Sequence, residues 1–251
     1  MKLRPNGLKA HAKGFSLMEM VVALALLTIV LAVALSAVSQ LQQRNSGESY
    51  KVDTVQETRD FIDQMVHDVH DVGYPPRRVK ASNPACATDA NTACGVTFFN
   101  NTRIEYEGDL DGTGTVYHIY VQLAVPASGN CPCKLQRGVV TKTAYLGGTP
   151  PDYYTEVDGI LNSGNGAGVA TYPVVLSGPG SYSSYATADL FDAYDQNASP
   201  VGSCVDSVSC SSITSLQITA NVVPSLPDAV THIFPVVSIT SRGRLNNAIV
   251  D

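Results

Sequence analysis

The stretch that decides the fold is Lys13 to Val38, KGFSLMEMVVALALLTIVLAVALSAV. The first fourteen residues hold Lys2, Arg4, Lys9 and Lys13 and no acid. From Met20 to Val38 there are nineteen residues without a charge, and Glu19 alone interrupts the apolar run near its start. About 20 apolar residues are enough to cross a bilayer as a helix. A carboxylate at that depth costs about 2.5–3.5 kcal/mol on insertion scales, so Glu19 requires a partner or a function.

Three readings account for this pattern. An ordinary single-pass anchor fits the length, with the basic flank kept on the cytoplasmic side. A secretory signal cut near Ala32-Val33-Ala34 fits the charge distribution, but its apolar region is too long and Glu19 sits badly inside it. In the third, the leader is cut on the cytoplasmic side between Gly14 and Phe15 and the apolar helix is kept.

The third reading rests on a resemblance. Gly14, Phe15 and Glu19 in GFSLMEMVVALALLTIVLAV resemble the type IV pilin and pseudopilin family: a glycine, an aromatic first mature residue, and a glutamate at the fifth mature position. The resemblance implies cleavage by a prepilin peptidase, N-methylation of the new Phe15 amine, and pairing of Glu19 with the N-terminus of a neighbouring subunit. Such pairing turns the penalty of an unpaired charge in lipid into a signal for register along a filament.

Further along, Val55, Thr58, Ile62, Met65, Val69 and Val72 recur in steps of three and four, widened by Phe61 and Val66. This predicts that the helix continues with one apolar stripe. Gln56, Glu57, Arg59, Asp60, Asp63, Gln64, His67, Asp68 and Asp71 form its polar face, and Gly47 is a candidate bend. A helix continuous from Phe15 to Val72 would span about 87 Å. Gly73-Tyr74-Pro75-Pro76 ends it. RDFIDQMVHDVHDVGY, ending in Gly73-Tyr74, is similar to the segment that follows the N-terminal helix in PilW-type minor pilins; J-type pseudopilins of type II secretion share the plan. The pairs Asp63/His67 and His67/Asp71 read as a solvated acidic face rather than a metal site.

Beyond the helix the period changes to two. Thr102 to Glu107 and Thr115 to Leu123 alternate, and the Gly/Asp-rich GDLDGTG (108–114) between them predicts a hairpin. Gly138 to Ala144, Val169 to Leu176, Ile213 to Val223 and Ile233 to Thr240 are further strand candidates. Residues 147–200, rich in Gly, Ser, Tyr and Pro, read as long loops, with Tyr145, Tyr153, Tyr154, Tyr172, Tyr182, Tyr185 and Tyr194 as a candidate contact surface. The C-terminal strand, with Arg242, Arg244 and Asn246, is similar to the closing strand of PilW-type chains. The expected class is α+β: a long N-terminal helix packed on an antiparallel sheet, pilin-like. The expected organisation is a leader at 1–14, a transmembrane and assembly helix at 15–40, an amphipathic extension at 41–74 and a β-rich head at 75–251.

The chain has 251 residues and a formal charge of −6. Four of its sixteen Lys/Arg lie in the leader, so the remainder carries twelve against twenty-two acids, or −10. That balance argues against nonspecific nucleic-acid binding, and Arg77, Arg78 and Lys80 read as a solvated loop. The six cysteines fall in close pairs, Cys86/Cys94, Cys131/Cys133 and Cys204/Cys210. An even count beyond the helix reads as disulfides in an oxidising compartment. Local bridges are expected for the first and third pairs, whereas Cys131-Pro132-Cys133 is a strained spacing that leaves a redox or metal role open.

Asp109, Asp111, Thr113 and Gly114 occupy positions one, three, five and six of a calcium-loop pattern, with Tyr120 where the pattern wants a bidentate glutamate. The match is partial; Glu105 or Glu107 would have to supply the missing oxygen. Otherwise no cofactor is expected. There is no Gly-x-Ser-x-Gly, His-Glu-x-x-His or phosphate-binding glycine loop. His11 lies in the leader, and His118 and His232 sit in strand-like runs, so no enzyme is expected. Taken with the resemblance, the chain reads as a pilin-like structural subunit, most like a minor pilin. It keeps its glutamate, unlike tip subunits that lack one. Its expected partners are the peptidase, other pilins and the inner membrane, with a periplasmic head that later moves onto a surface filament. The alternatives are a J-like pseudopilin and an anchored adhesion protein that never assembles.

Overall fold

The computed structural model describes residues 16–74, 84–127, 129–163, 176, 182–229 and 231–245. The chain divides into two compact units, residues 1–46 and 47–251. Helix α1, Leu17–Asp71, passes through Gly47 without a break.

In the first unit Ser16 precedes the helix, and its carbonyl accepts from the Glu19 and Met20 amides at 3.0 and 3.1 Å. The large apolar side chains from Leu17 to Leu41 are 49–82% exposed. Thr28, the polar residue in the middle of the run, donates to the Ala25 carbonyl at 2.8 Å, so its hydroxyl is satisfied within the helix.

In the second unit most of the predicted stripe is buried, while Val55 and Val66 are half-buried. Thr58, Phe61, Ile62, Met65, Val69 and Val72 are all within 4% exposure. They pack on an antiparallel sheet built from β1 (Val96–Asn100), β2 (Arg103–Gly108), β3 (Tyr117–Ala124), β4 (Cys133–Thr141), β5 (Asp152–Ile160), β6 (Phe191–Tyr194), β7 (Pro200–Val201), β8 (Ser215–Val222) and β9 (Val237–Arg244). The sheet order is β1-β2-β3-β4-β5-β8-β6-β7, with β9 also paired to β8. Ile104, Tyr106, Ile119, Val121, Leu135 and Val157 belong to the same core as the helix stripe.

Two backbone features set where the helix ends. Gly73 has φ 79°, the left-handed conformation that closes a helix and favours glycine. Its amide donates to the Glu107 carbonyl at 2.8 Å, and the Asp109 amide donates to the Tyr74 carbonyl at 3.0 Å. The helix end therefore joins the C-terminal end of β2, where Val72 bridges Gly108. Gly108 lets the backbones meet there: a Cβ built on it would lie 2.8 Å from the Asp71 carbonyl oxygen.

Several sequence expectations need correction. The expected hairpin is present, with Arg103 opposite Gln122 and Gly108 opposite Tyr117. The strand expected over Gly138 to Ala144 begins earlier, at Cys133, and gives way to the short helix α2, Lys142–Leu146. The loop expected over 147–200 contains β5, helix α3 (Ser183–Ala186), β6 and the start of β7. Its Tyr-, Asp- and Gly-rich composition masked a strand, because β5 is exposed along its first half and lacks alternation there. The strand expected from Ile233 starts at Val237, and β1 was not anticipated. Asp68, expected on the solvated face, is buried at 9%. The leader, Arg77, Arg78, Lys80, Tyr172, most of the expected strand over Val169 to Leu176, and Asn246 lie outside the described residues.

Candidate functional site

Two features stand out: the exposed apolar helix with Glu19 in its first turn, and a buried ionic cluster on the sheet face opposite α1. The second arises from strand alternation. On β2, Ile104 and Tyr106 face the helix, which sends Arg103, Glu105 and Glu107 to the other side. On β3, Ile119 and Val121 do the same for His118 and Tyr120. The register puts Glu107 opposite His118 and Glu105 opposite Tyr120.

His118 is fully buried and bridges the two glutamates, with Nε2 3.0 Å from Glu105 Oε2 and Nδ1 3.2 Å from Glu107 Oε1. Burial pulls its pKa down, but the bonds and charges of Glu105 and Glu107 outweigh this and hold it above the ordinary histidine value. Tyr145 from α2 stacks on the imidazole at 3.9 Å. Arg103 pairs with Glu105 and lies over the Phe98 and Tyr120 rings at 5.1 and 5.6 Å.

Lys142 closes the other end. Its side chain is entirely buried. Nζ donates to Glu107 Oε2 and to the Thr92 carbonyl, both at 2.6 Å, and to the Cys86 carbonyl at 2.7 Å. An ammonium has three protons, and three oxygens receive them. The Cys94 amide donates to the same Glu107 oxygen at 2.8 Å. The outcome is a chain of alternating charge, Arg103, Glu105, His118, Glu107, Lys142. Glu107, His118 and Lys142 are at most 2% exposed. Their arrangement binds elements together.

The cysteines pair locally: Cys86–Cys94, Cys131–Cys133 and Cys204–Cys210, with Cα separations of 5.5, 4.4 and 5.3 Å. The middle pair, whose spacing had left other roles open, is bonded too, across a cis Cys131–Pro132 peptide. Asp109, Asp111 and Thr113 form a self-contained turn. Asp109 Oδ2 accepts from the Gly114 amide at 2.8 Å, and Asp111 Oδ1 accepts from the Thr113 hydroxyl at 2.7 Å. The Thr113 hydroxyl and amide bring the Asp111 carboxyl down to about 2. Glu105 and Glu107 turn to His118 instead of this loop. Among the described residues no group of three or more His, Cys, Asp or Glu is placed to hold a metal.

Gly14 and Phe15 lie outside the described residues. His67 is highly exposed and stands 3.6 Å from Asp71, as a solvated face requires. The candidate tyrosines divide: Tyr154 is exposed, Tyr182 is buried, and the Tyr194 ring carries the Arg242 guanidinium at 4.0 Å. Lys142 escaped sequence reading altogether, since a lysine beginning a short helix gives no sign of burial. The Glu-x-Glu of β2 facing a histidine across the hairpin was the one available signal.

Residues 9–35 match the family described as the prokaryotic N-terminal methylation motif. The match covers this part of the chain alone, and it supports a type IV pilin-like or pseudopilin-like protein. The described helix that includes Leu17 to Val38 is long and apolar enough to cross a membrane. No curated protein and no solved structure matches the chain.

Proposed function

We propose that this chain is a structural subunit of a type IV pilus, of the minor-pilin kind. It is made with a leader at 1–14 and cut by a prepilin peptidase between Gly14 and Phe15. It is then N-methylated on Phe15 and assembled through residues 15–40, with 41–74 as the helical extension and 75–251 as a head outside the inner membrane. The single observation that carries this reading is the methylation motif over 9–35, leading into a helix whose apolar side chains are exposed. Such a surface needs lipid or neighbouring helices to cover it. Glu19, in the first turn, supplies the charge that a neighbour's amino terminus neutralises. The motif points to a structural role.

The test is mass spectrometry of the N-terminal peptide from the native, membrane-extracted protein. A chain beginning at N-methylated Phe15 establishes processing. A chain that retains Met1 would make it a plain anchor, and one beginning near Ala37 a secreted protein; either result removes the filament reading.

A further inference from the structure

We propose that the Cys86–Cys94 disulfide, formed by exchange in which the two thiols pass two electrons and two protons to a disulfide donor that leaves as a dithiol, is an oxidation-dependent latch. Closing its loop assembles the oxygen shell that allows the Lys142 ammonium to be buried, so the strands beneath α2 pack fully only in the oxidised chain. The inference rests on the buried cluster and is independent of the N-terminal segment.

Among the described residues Lys142 Nζ has four near neighbours. Three come from the loop that this disulfide closes: the Cys86 carbonyl at 2.7 Å, the Thr92 carbonyl at 2.6 Å and Cys94 Sγ at 3.5 Å. The fourth is Glu107 Oε2 at 2.6 Å. Both cysteines are in direct contact with the ammonium, so the bond between them fixes two points of its shell. The second carbonyl is positioned from within the loop, where the Thr92 amide donates to the Asp89 carbonyl at 3.4 Å and the Thr92 hydroxyl to Asp89 Oδ2 at 2.6 Å. Glu107 holds the far end through the Cys94 amide.

Opening the disulfide frees the Cys86 end of the loop. Lys142 then loses the Cys86 carbonyl as a fixed acceptor in a site that excludes water, and a buried charge short of its partners is strongly unfavourable. The lysine must leave or the loop must be held by other means. Lys142 also begins α2, and its amide donates to the Val116 carbonyl at 2.8 Å. Its departure therefore disturbs the helix that carries Tyr145 over His118. The charged groups facing the ammonium are Glu107 directly and, behind it, His118 and Glu105.

The experiment uses the full chain in detergent, with an amine-acylating reagent and peptide mass spectrometry. In the oxidised protein Lys142 should react far more slowly than Lys134, which is 51% exposed. In Cys86→Ser/Cys94→Ser, Lys142 labelling should rise at least about tenfold while Lys134 stays unchanged. The Cys204→Ser/Cys210→Ser variant should leave Lys142 protected. Lys142 remaining as protected in Cys86→Ser/Cys94→Ser as in the parent would overturn the proposal. Should that variant unfold outright, adding Lys142→Met decides the matter. A latch that serves the buried charge predicts recovery of protease resistance, because no ammonium then needs the shell. Failure to recover would show that the disulfide acts through chain entropy alone and would sink the idea.

Discussion

Arg137 on β4 donates from its guanidinium to the Asp68 carboxylate on α1 at 2.7 Å, both side chains being less than 15% exposed. The Tyr106 hydroxyl on β2 donates to the same oxygen at 3.0 Å. One carboxylate thus ties the helix to two strands. Burial and then Asp68 push the Tyr106 hydroxyl well above its ordinary value. Burial lowers the Arg137 pKa, but Tyr106 and Asp68 outweigh it and hold the guanidinium firmly charged. Asp68→Ala removes the acceptor of both donors and leaves a cation in the helix–sheet interface. A loss of about 3 kcal/mol in unfolding free energy is expected, with a smaller loss for Asp68→Asn, which keeps one acceptor oxygen. The chain has no tryptophan, so denaturant unfolding followed by circular dichroism is the suitable measurement.

His118 gives the head a pH dependence of defined sign. Its folded pKa is raised above the ordinary value of about 6.5. A histidine raised on folding contributes stability that is fully present below its unfolded pKa and lost as pH rises through the folded one. The denaturation midpoint should therefore fall as pH rises from about 6.5 through that raised value. In His118→Gln the slope should flatten. An unchanged slope in the variant would assign the effect elsewhere.

Gly108 should not tolerate a branched side chain. A Cβ there already meets the Asp71 carbonyl, and Gly108→Val adds two methyl groups where the helix end crosses β2. The expected cost is about 1–3 kcal/mol. Faster hydrogen exchange at the Gly73 and Asp109 amides, which bond across this junction, would locate the damage.

Glu19 has a consequence that separates assembly from folding. If the proposed filament role holds, Glu19→Ala should remain in the membrane fraction and be lost from sheared filaments. Lys142 protection and the head's unfolding midpoint should be unchanged. Normal incorporation of the variant would count against the pairing assigned to this carboxylate.

The legible part of this protein was its periodicity. The apolar run after Lys13, the three-and-four stripe from Val55 to Val72 and the alternation on either side of GDLDGTG each follow from local geometry. Helix, hairpin and α+β class could therefore be read directly. β5 could not, because DYYTEVDGI is exposed along half its length and shows no contrast between its faces. Lys142 and Asp68 were opaque for a different reason. A charged residue is buried when distant groups complete its hydrogen bonds, and those groups, Cys86, Thr92 and Glu107 for one and Tyr106 and Arg137 for the other, meet it only after the sheet has formed. Local chemistry along the chain determined the N-terminal signal and the identity of α1, the β2–β3 hairpin, β4, β8 and β9. Tertiary structure alone decided which charges could leave water, because that depends on partners far apart in sequence arriving within about 3 Å of one another.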